Sequence, residues 1–336
     1  MRNLSFIMLI AVLVLSACGR PNIDEQTGQT TIRIAHLVNP TQSSHILLEA
    51  FQEQVEEESG GELRVEIYPA GSLFPSDREA IEAVQLGNVE MTVPALASLS
   101  GFHQDFMILD LPYLFEDEEQ AYSVLDGPFG QDLLDSLEAV NIKGLVYGEN
   151  GFRHITNNVR PVYTPEDIEG QKLRTLESPV HTDFFNAFGA NASPFAFGEM
   201  YSSLQQGSYD AMEAPIALMY TSRLFEVQEY MSFTSHVYMP IALLMNDDFF
   251  QSLEEEHQGI LMDAAEMFRE EQRILEQEQS VEYLEEMKEA GLQVNDLTDE
   301  EKQAFRDRAE PVYEKYRDIL GPELFEDLEA AIEEAE

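Results

Sequence analysis

Residues 151–215 read GFRHITNNVRPVYTPEDIEGQKLRTLESPVHTDFFNAFGANASPFAFGEMYSSLQQGSYDAMEAP, and the punctuation of this stretch sets the fold class. Thr164-Pro165-Glu166-Asp167 is a helix start with Pro at the first helical position, and Gly170 ends it. Lys172 to Leu176 alternates as a strand. Pro179 to Phe188 predicts a helix stopped by Gly189, and Glu199 to Gln206 another stopped by Gly207. Strands and helices therefore alternate, as in an α/β fold. Arg153 and Arg174 fall on short predicted strands. A guanidinium is permanently charged and pairs with a carboxylate through two parallel hydrogen bonds, so arginines fixed on strand ends predict capture of an organic anion.

The same grammar precedes this stretch. Thr31 to Leu37 alternates as a strand, and Ser43 to Ser59 carries Ile46, Leu47, Ala50, Phe51 and Val55 on one helical face before Gly60-Gly61. Leu63, Val65 and Ile67 mark another strand. Ser76, three residues before Glu79, reads as a capping box whose helix ends near Gly87. Strands are expected at Glu90 to Val93 and Ile142 to Tyr147, with helical segments from about Glu118 to Val140 between them. After the arginine segment, Glu254 to Ala290 is helical almost without punctuation, long enough to lie along more than one domain. Its apolar residues are too sparse between Arg269 and Val281 for a coiled coil. A chain of 336 residues exceeds the usual size of one core, so two domains are expected.

The N-terminus reads as an export signal: Arg2, an apolar stretch from Leu4 to Leu15, then small residues. Leu15-Ser16-Ala17-Cys18 is similar to a bacterial lipoprotein box, which would make Cys18 the lipidated first mature residue, followed by a tether over 18–30. Cys18 is the only cysteine, so an intrachain disulfide is excluded. Lys and Arg total 19 against 64 Asp and Glu, a formal net charge of -45. Nucleic acid and anionic lipid headgroups are poor partners for such a surface. A small anion is repelled globally and has to be caught by positive charge concentrated locally.

From about Thr31 to the C-terminal helices the chain resembles the solute receptors of tripartite ATP-independent periplasmic (TRAP) transporters, the DctP type. The resemblance implies a two-domain periplasmic-binding-protein-like α/β fold with a ligand cleft between the domains and a long helix spanning both. It maps domain one to 31–151 plus 237–280 and domain two to 152–236 plus 281–336, after a signal peptide over 1–17. It implies capture of an organic acid and delivery to a membrane permease, with no cofactor and no metal, by a monomer. Arg174, in the KLR strand, matches the family's carboxylate-binding arginine, and Arg153 in GFRHITN matches a second. The alternative for Arg174 is an internal salt bridge to Glu177 or Glu213, and for Arg153 a surface-facing strand position. Phe197 in FAFGEMY matches a cleft-wall phenylalanine. His36, Asn39 and Asp77 fall where relatives place polar contacts from domain one, although strand ends and helix starts use such residues routinely. His236 in TSHVY matches a histidine near the cleft, where a structural role is the stronger expectation. Glu177 and Glu213 complete the candidate ligand-binding set.

Two departures qualify the match. Where relatives read QENP this chain has Met212-Glu213-Ala214-Pro215, so an asparagine that helps hold the ligand carboxylate is missing. Arg153, a backbone N–H or water would have to complete the clamp. Pro94-Ala95-Leu96 lacks the acidic residue of sialic-acid receptors, which disfavours that ligand. A single clamp facing Asp77, Asn39, Glu177 and His36 suits a hydroxyl-rich monoacid such as a hexuronate first and a C4-dicarboxylate second, because carboxylate side chains accept hydroxyl protons but repel a second carboxylate. An enzyme is disfavoured: GxGxxG, HExxH, GxSxG and CxxC are absent, and the seven histidines do not cluster at metal-ligand spacing. A structural or adhesion lipoprotein is the remaining class, and it would not need buried arginines on strand ends.

Overall fold

The structure, a computed structural model, describes residues 28–335. The export signal and the Cys18 box lie outside the described residues. The first half builds β1 (Thr30–Ala35), α1 (Ser43–Glu58), β2 (Leu63–Tyr68), α2 (Asp77–Gln85) and β3 (Met91–Thr92). Then come α3 (Glu118–Asp126), α4 (Pro128–Asp135) and a long strand, β4 (Ile142–Asn157). The middle of the chain gives β5 (Lys172–Thr175), α5 (Pro179–Ala187), β6 (Asn191–Pro194), α6 (Met200–Gln205), β7 (Ala211–Ala214) and α7 (Ile216–Thr221). A second long strand, β8 (Tyr230–Asn246), precedes α8 (Asp247–Ser252), the 35-residue α9 (Glu255–Glu289), β9 (Gln293–Asp296), α10 (Asp299–Leu320) and α11 (Pro322–Ala335).

One nine-stranded sheet carries these elements in the order β2-β1-β3-β8-β4-β7-β5-β6, with β9 on β8. β1, β2 and β3 are mutually parallel, as are β5, β6 and β7, while β4 and β8 run antiparallel to each other through the middle. Each half is therefore a small α/β unit, and β4 and β8 belong to both. α9 also serves both halves, packing on α1 in the first and on α7 in the second. Leu47, Leu48, Phe51 and Val55 of α1 pack with Leu261, Ala264, Ala265 and Phe268 of α9 against one face of the first half. Phe184, Phe185 and Phe188 join α10 in a second core, and Met200, Met212, Met219 and Met287 form a third under α7.

The long strands differ from expectation for identifiable reasons. The expected strand at Ile142 to Tyr147 continues to Asn157, and Arg153 lies inside it rather than on a separate short strand. Glycines hid this continuity. A Cβ on Gly148 would sit 2.8 Å from Gln272 Oε1 and 2.9 Å from Ile241 Cγ1, so only glycine allows that approach, and Gly151 has φ +92°. β8 was masked by Pro240, which cannot donate to a ladder. Pro240 lies opposite Glu149, beside the register shift between Glu149 and Gly151. A second shift follows, as the partner of β4 jumps from Val237 opposite Arg153 to Ser232 opposite Ile155, with Ser235 at φ 43° inside the bulge. The expected strand at Glu90 to Val93 shrinks to Met91–Thr92, and the helix start at Thr164 yields a single 3-10 turn, Pro165–Ile168, closed by a Thr164/Asp167 capping box. Ser76 accepts from the Glu79 N–H as an N-cap should, but the Glu79 carboxylate faces the Ser76 hydroxyl rather than its N–H, so the expected capping box is only half formed.

Candidate functional site

A cavity opens between the two halves at the carboxyl ends of β1, β3 and β5, where open α/β sheets usually bind ligands. Leu37 and Val38 follow β1, Val93 and Ala95 follow β3, and Leu176 and Glu177 follow β5. The starts of α1 and α2 add Gln42, Ser44, Ser76 and Asp77, β4 adds Asn150 and Arg153, and β5 adds Arg174. Phe197, Leu218 and Ile241 supply apolar wall. The positive ends of two helices and two guanidinium groups thus face one space, an arrangement that favours an anion.

The two arginines are held differently. Arg153 is 1% exposed and forks onto Glu213: Nε donates to Oε2, and Nη2 donates at 2.9 Å to both Oε1 and the Glu213 carbonyl. Burial alone would raise the Glu213 pKa, but the Arg153 charge and a His236 contact hold it well below the usual carboxylate range. The surface-facing alternative for Arg153 is excluded by its burial. Arg174 is 2% exposed, and its Nε donates to the Phe195 carbonyl at 2.8 Å. Its guanidinium lies 5.9 Å from the centroid of the Phe197 ring. Among the described residues it forms no ion pair with Glu177, Glu213 or any other acid. Burial pushes its pKa down to about 10, Glu213 acting against that shift and the neighbouring Arg153 adding to it. Nη1 of each arginine is buried without a hydrogen-bond partner. Unpaired buried donors are costly, so both guanidinium groups favour an acceptor beside them.

The rest of the lining is acidic and hydroxyl-rich. Asp77 starts α2, and its carboxylate accepts from the Ala95 N–H at 3.3 Å. Burial pushes its pKa up to about 7, opposed by that N–H and by Arg174 and reinforced by Glu177. Near neutrality Asp77 can therefore present either an O–H donor or a carboxylate acceptor. Ser44, Ser76 and Ser98 add hydroxyls, and Gln42 and Asn150 add amides.

Arg174, Arg153, Phe197, Asp77 and Glu177 thus meet at one cavity, and four other expected residues do not line it. Glu213 lies behind Arg153 and positions it. His236 is fully buried in the β8 bulge, its ring nitrogens 2.8 Å from Thr234 Oγ1 and 3.4 Å from Glu213 Oε2, so it supports Glu213. His36 is buried against His45, with Nε2 3.0 Å from His45 Nδ1, and burial together with His45 lowers its pKa to about 3. It is a neutral packing histidine under β1. Asn39 spans the cleft mouth, its Nδ2 donating to the Thr221 carbonyl at 2.9 Å. Ala214 is fully buried in β7 opposite His154 and does not reach the cavity. Gln42, Ser44, Ser98 and Asn150 escaped sequence reading. Gln42 and Ser44 sit at an ordinary helix start, and Asn150 lies between two register partners in a strand whose continuity was not visible.

The family described as bacterial extracellular solute-binding protein, family 7 (DctP), matches residues 34–318. The C4-dicarboxylate-binding protein DctB of Bacillus subtilis (strain 168) is 34% identical over 309 residues, covering 91% of this chain and 88% of its own. The sugar acid binding protein DctPAm from Advenella mimigardefordensis strain DPN7T, solved in complex with galactonate, superimposes with a TM-score of 0.89 at 31% identity. That match covers 92% of this chain and 99% of the other. A TRAP solute binding protein from Sulfitobacter sp. NAS-14.1 with bound β-D-galacturonate has a TM-score of 0.85 at 31% identity, covering 89% and 98%. One from Sulfurospirillum deleyianum DSM 6946 with bound succinate has a TM-score of 0.85 at 29% identity, covering 90% and 98%. The chain belongs to the DctP family of TRAP solute-binding proteins: it is an extracytoplasmic receptor for organic acids, a transport protein and not an enzyme.

Proposed function

We propose that this receptor takes a sugar acid of the hexuronate class and hands it to a TRAP permease from a lipid anchor on Cys18. The observation that carries the ligand reading is the polarity of the cavity. Two guanidinium groups with unpartnered Nη1 atoms stand on one side, and Asp77, Glu177, Ser44, Ser76 and Ser98 stand around the rest. A carboxylate satisfies the first side, hydroxyls the second. A second ligand carboxylate would meet Glu177 and the ionised form of Asp77 and be repelled. Asn150 supplies from β4 the side-chain amide that Ala214 cannot, and Phe197 gives a sugar face an apolar floor.

The lobes divide, in this reading, at about Gly151 and Val237, with the C-terminal share of domain two starting near Val281. Support comes from the register shifts of β4 and β8, which lie at that crossing and loosen the ladder where the halves must turn. Ligand bridging both lobes would shift the population toward the closed form. A thermal-shift screen on the chain following Cys18 tests the ligand: D-glucuronate, D-galacturonate or galactonate should raise the melting temperature while succinate and malate have little effect. Ligand at 100 times its dissociation constant stabilises by about 2.7 kcal/mol. Stabilisation by succinate or malate and by no sugar acid would overturn the assignment.

A further inference from the structure

Gln42 ties the cavity to the closure of the cleft. Its side chain is 1% exposed, lines the cavity and meets Thr221 Oγ1 at 3.3 Å, while Nε2 has no partner. Thr221 ends α7 in the other lobe. Its single hydroxyl proton goes to the Ala217 carbonyl at 2.8 Å, and its own carbonyl accepts from Asn39. With that proton committed, the two residues bond only when the Gln42 amide turns Nε2 to donate to Thr221 Oγ1, which leaves Oε1 as an acceptor without a partner at the cavity.

The base of Gln42 is immobilised from behind. Gln279 of α9 accepts from the Ser43 N–H at 2.8 Å and donates to the Thr41 carbonyl at 2.9 Å. The segment from Asn39 to Ser43 is therefore a fixed post on lobe one, and Thr221 is the moving contact on lobe two.

We propose that Asn39, Gln42 and Thr221 form a latch across the cleft mouth that is read by ligand. A ligand hydroxyl that donates to Gln42 Oε1 holds the amide with Nε2 toward Thr221 Oγ1 and so strengthens that contact, and opening the cleft breaks the Asn39 and Gln42 contacts together. The inference rests on the cavity being the organic-acid site. It assigns Asn39 and Thr221 an effect on affinity although neither lines the cavity, and it makes Gln42 a residue that discriminates hydroxylated from plain acids.

The test uses the full chain purified in detergent, with D-glucuronate as probe and spin labels on Leu86→Cys and Val159→Cys, two exposed positions on opposite lobes. Thr221→Val and Asn39→Ala should each weaken D-glucuronate binding about two- to tenfold, the range of one net hydrogen bond. The loss should appear as faster release, and both variants should lengthen the inter-label distance without ligand. Gln42→Ala combined with Thr221→Val should lose less than the product of the single losses, because the two act through one contact. Unchanged affinity in folded Thr221→Val, or losses that multiply, would overturn the latch. If wild type binds no organic acid the cavity reading fails, and the ligand-free distances still decide the latch: an Asn39→Ala distribution identical to wild type rejects it.

Discussion

Replacing Arg174 by Met should separate binding from folding in this protein. The Arg174 guanidinium is buried, bonded through Nε to one carbonyl and free of any ion pair among the described residues. Burial pushes its pKa below the usual guanidinium range to about 10, and since one unit corresponds to about 1.4 kcal/mol, keeping it charged costs a few kcal/mol. Met keeps the packing against Phe197 and removes that cost, so the ligand-free melting temperature should hold or rise. Binding should collapse. A carboxylate left desolvated without its fork loses about 2 to 5 kcal/mol, roughly 30-fold to several-thousand-fold in the dissociation constant. Arg174→Lys should also bind poorly, since a point charge cannot reproduce two parallel donors. Arg153→Met should behave in the opposite way, because it strips the fork from buried Glu213 and should cost about 3 to 5 kcal/mol of folding stability. Calorimetric titration beside a thermal melt distinguishes these outcomes. A folded Arg174→Met protein with intact affinity would refute the role of this residue.

Two further outcomes follow from other parts of the chain. Burial, reinforced by Glu149, pushes the Glu276 pKa up to about 8 from an unfolded value of 4.5, even though Ser43 donates to its carboxylate. The folded state therefore binds more protons than the unfolded state in that window, and stability contributed by Glu276 is lost as pH rises from about 4.5 through 8. Glu276→Gln should flatten the fall of melting temperature between pH 5 and pH 8, and a slope equal to wild type would contradict the argument. Labelled palmitate should enter the wild-type protein in cells and not Cys18→Ala, and equal labelling of both would remove the anchor.

The local signals of helices and short strands were legible because each has a chemical start or stop: Ser76 capping α2, the Thr164/Asp167 box, Gly189 after α5. What the sequence hid is long-range. β4 and β8 are continuous only because each glycine or proline that breaks the local pattern falls where the partner strand approaches closely or slips its register, and a partner is invisible in one strand alone. The site shows the same division. Arg174 stands out as a charge between apolar strand residues, whereas Gln42 and Asn150 carry no local mark and acquire meaning only when the lobes meet. His36 and His236 illustrate the converse, for their place in the chain is next to the cavity while their side chains are spent on His45 and on Glu213.

The two long strands also make the halves inseparable. A fragment spanning 152–236 would take α7 and the β7-β5-β6 ladder with it but would leave β4 and β8 severed at mid-length. Cut ends of central strands are open edges, ready to pair with any other extended chain. α9 would be cut off from the Met cluster that its Met287 helps fill. Gene fragments of either half should therefore aggregate rather than fold, and insertions or circular permutations are best tolerated at exposed turns away from the crossing, such as Gly60-Gly61 or Gly207, where a Cβ would meet almost nothing.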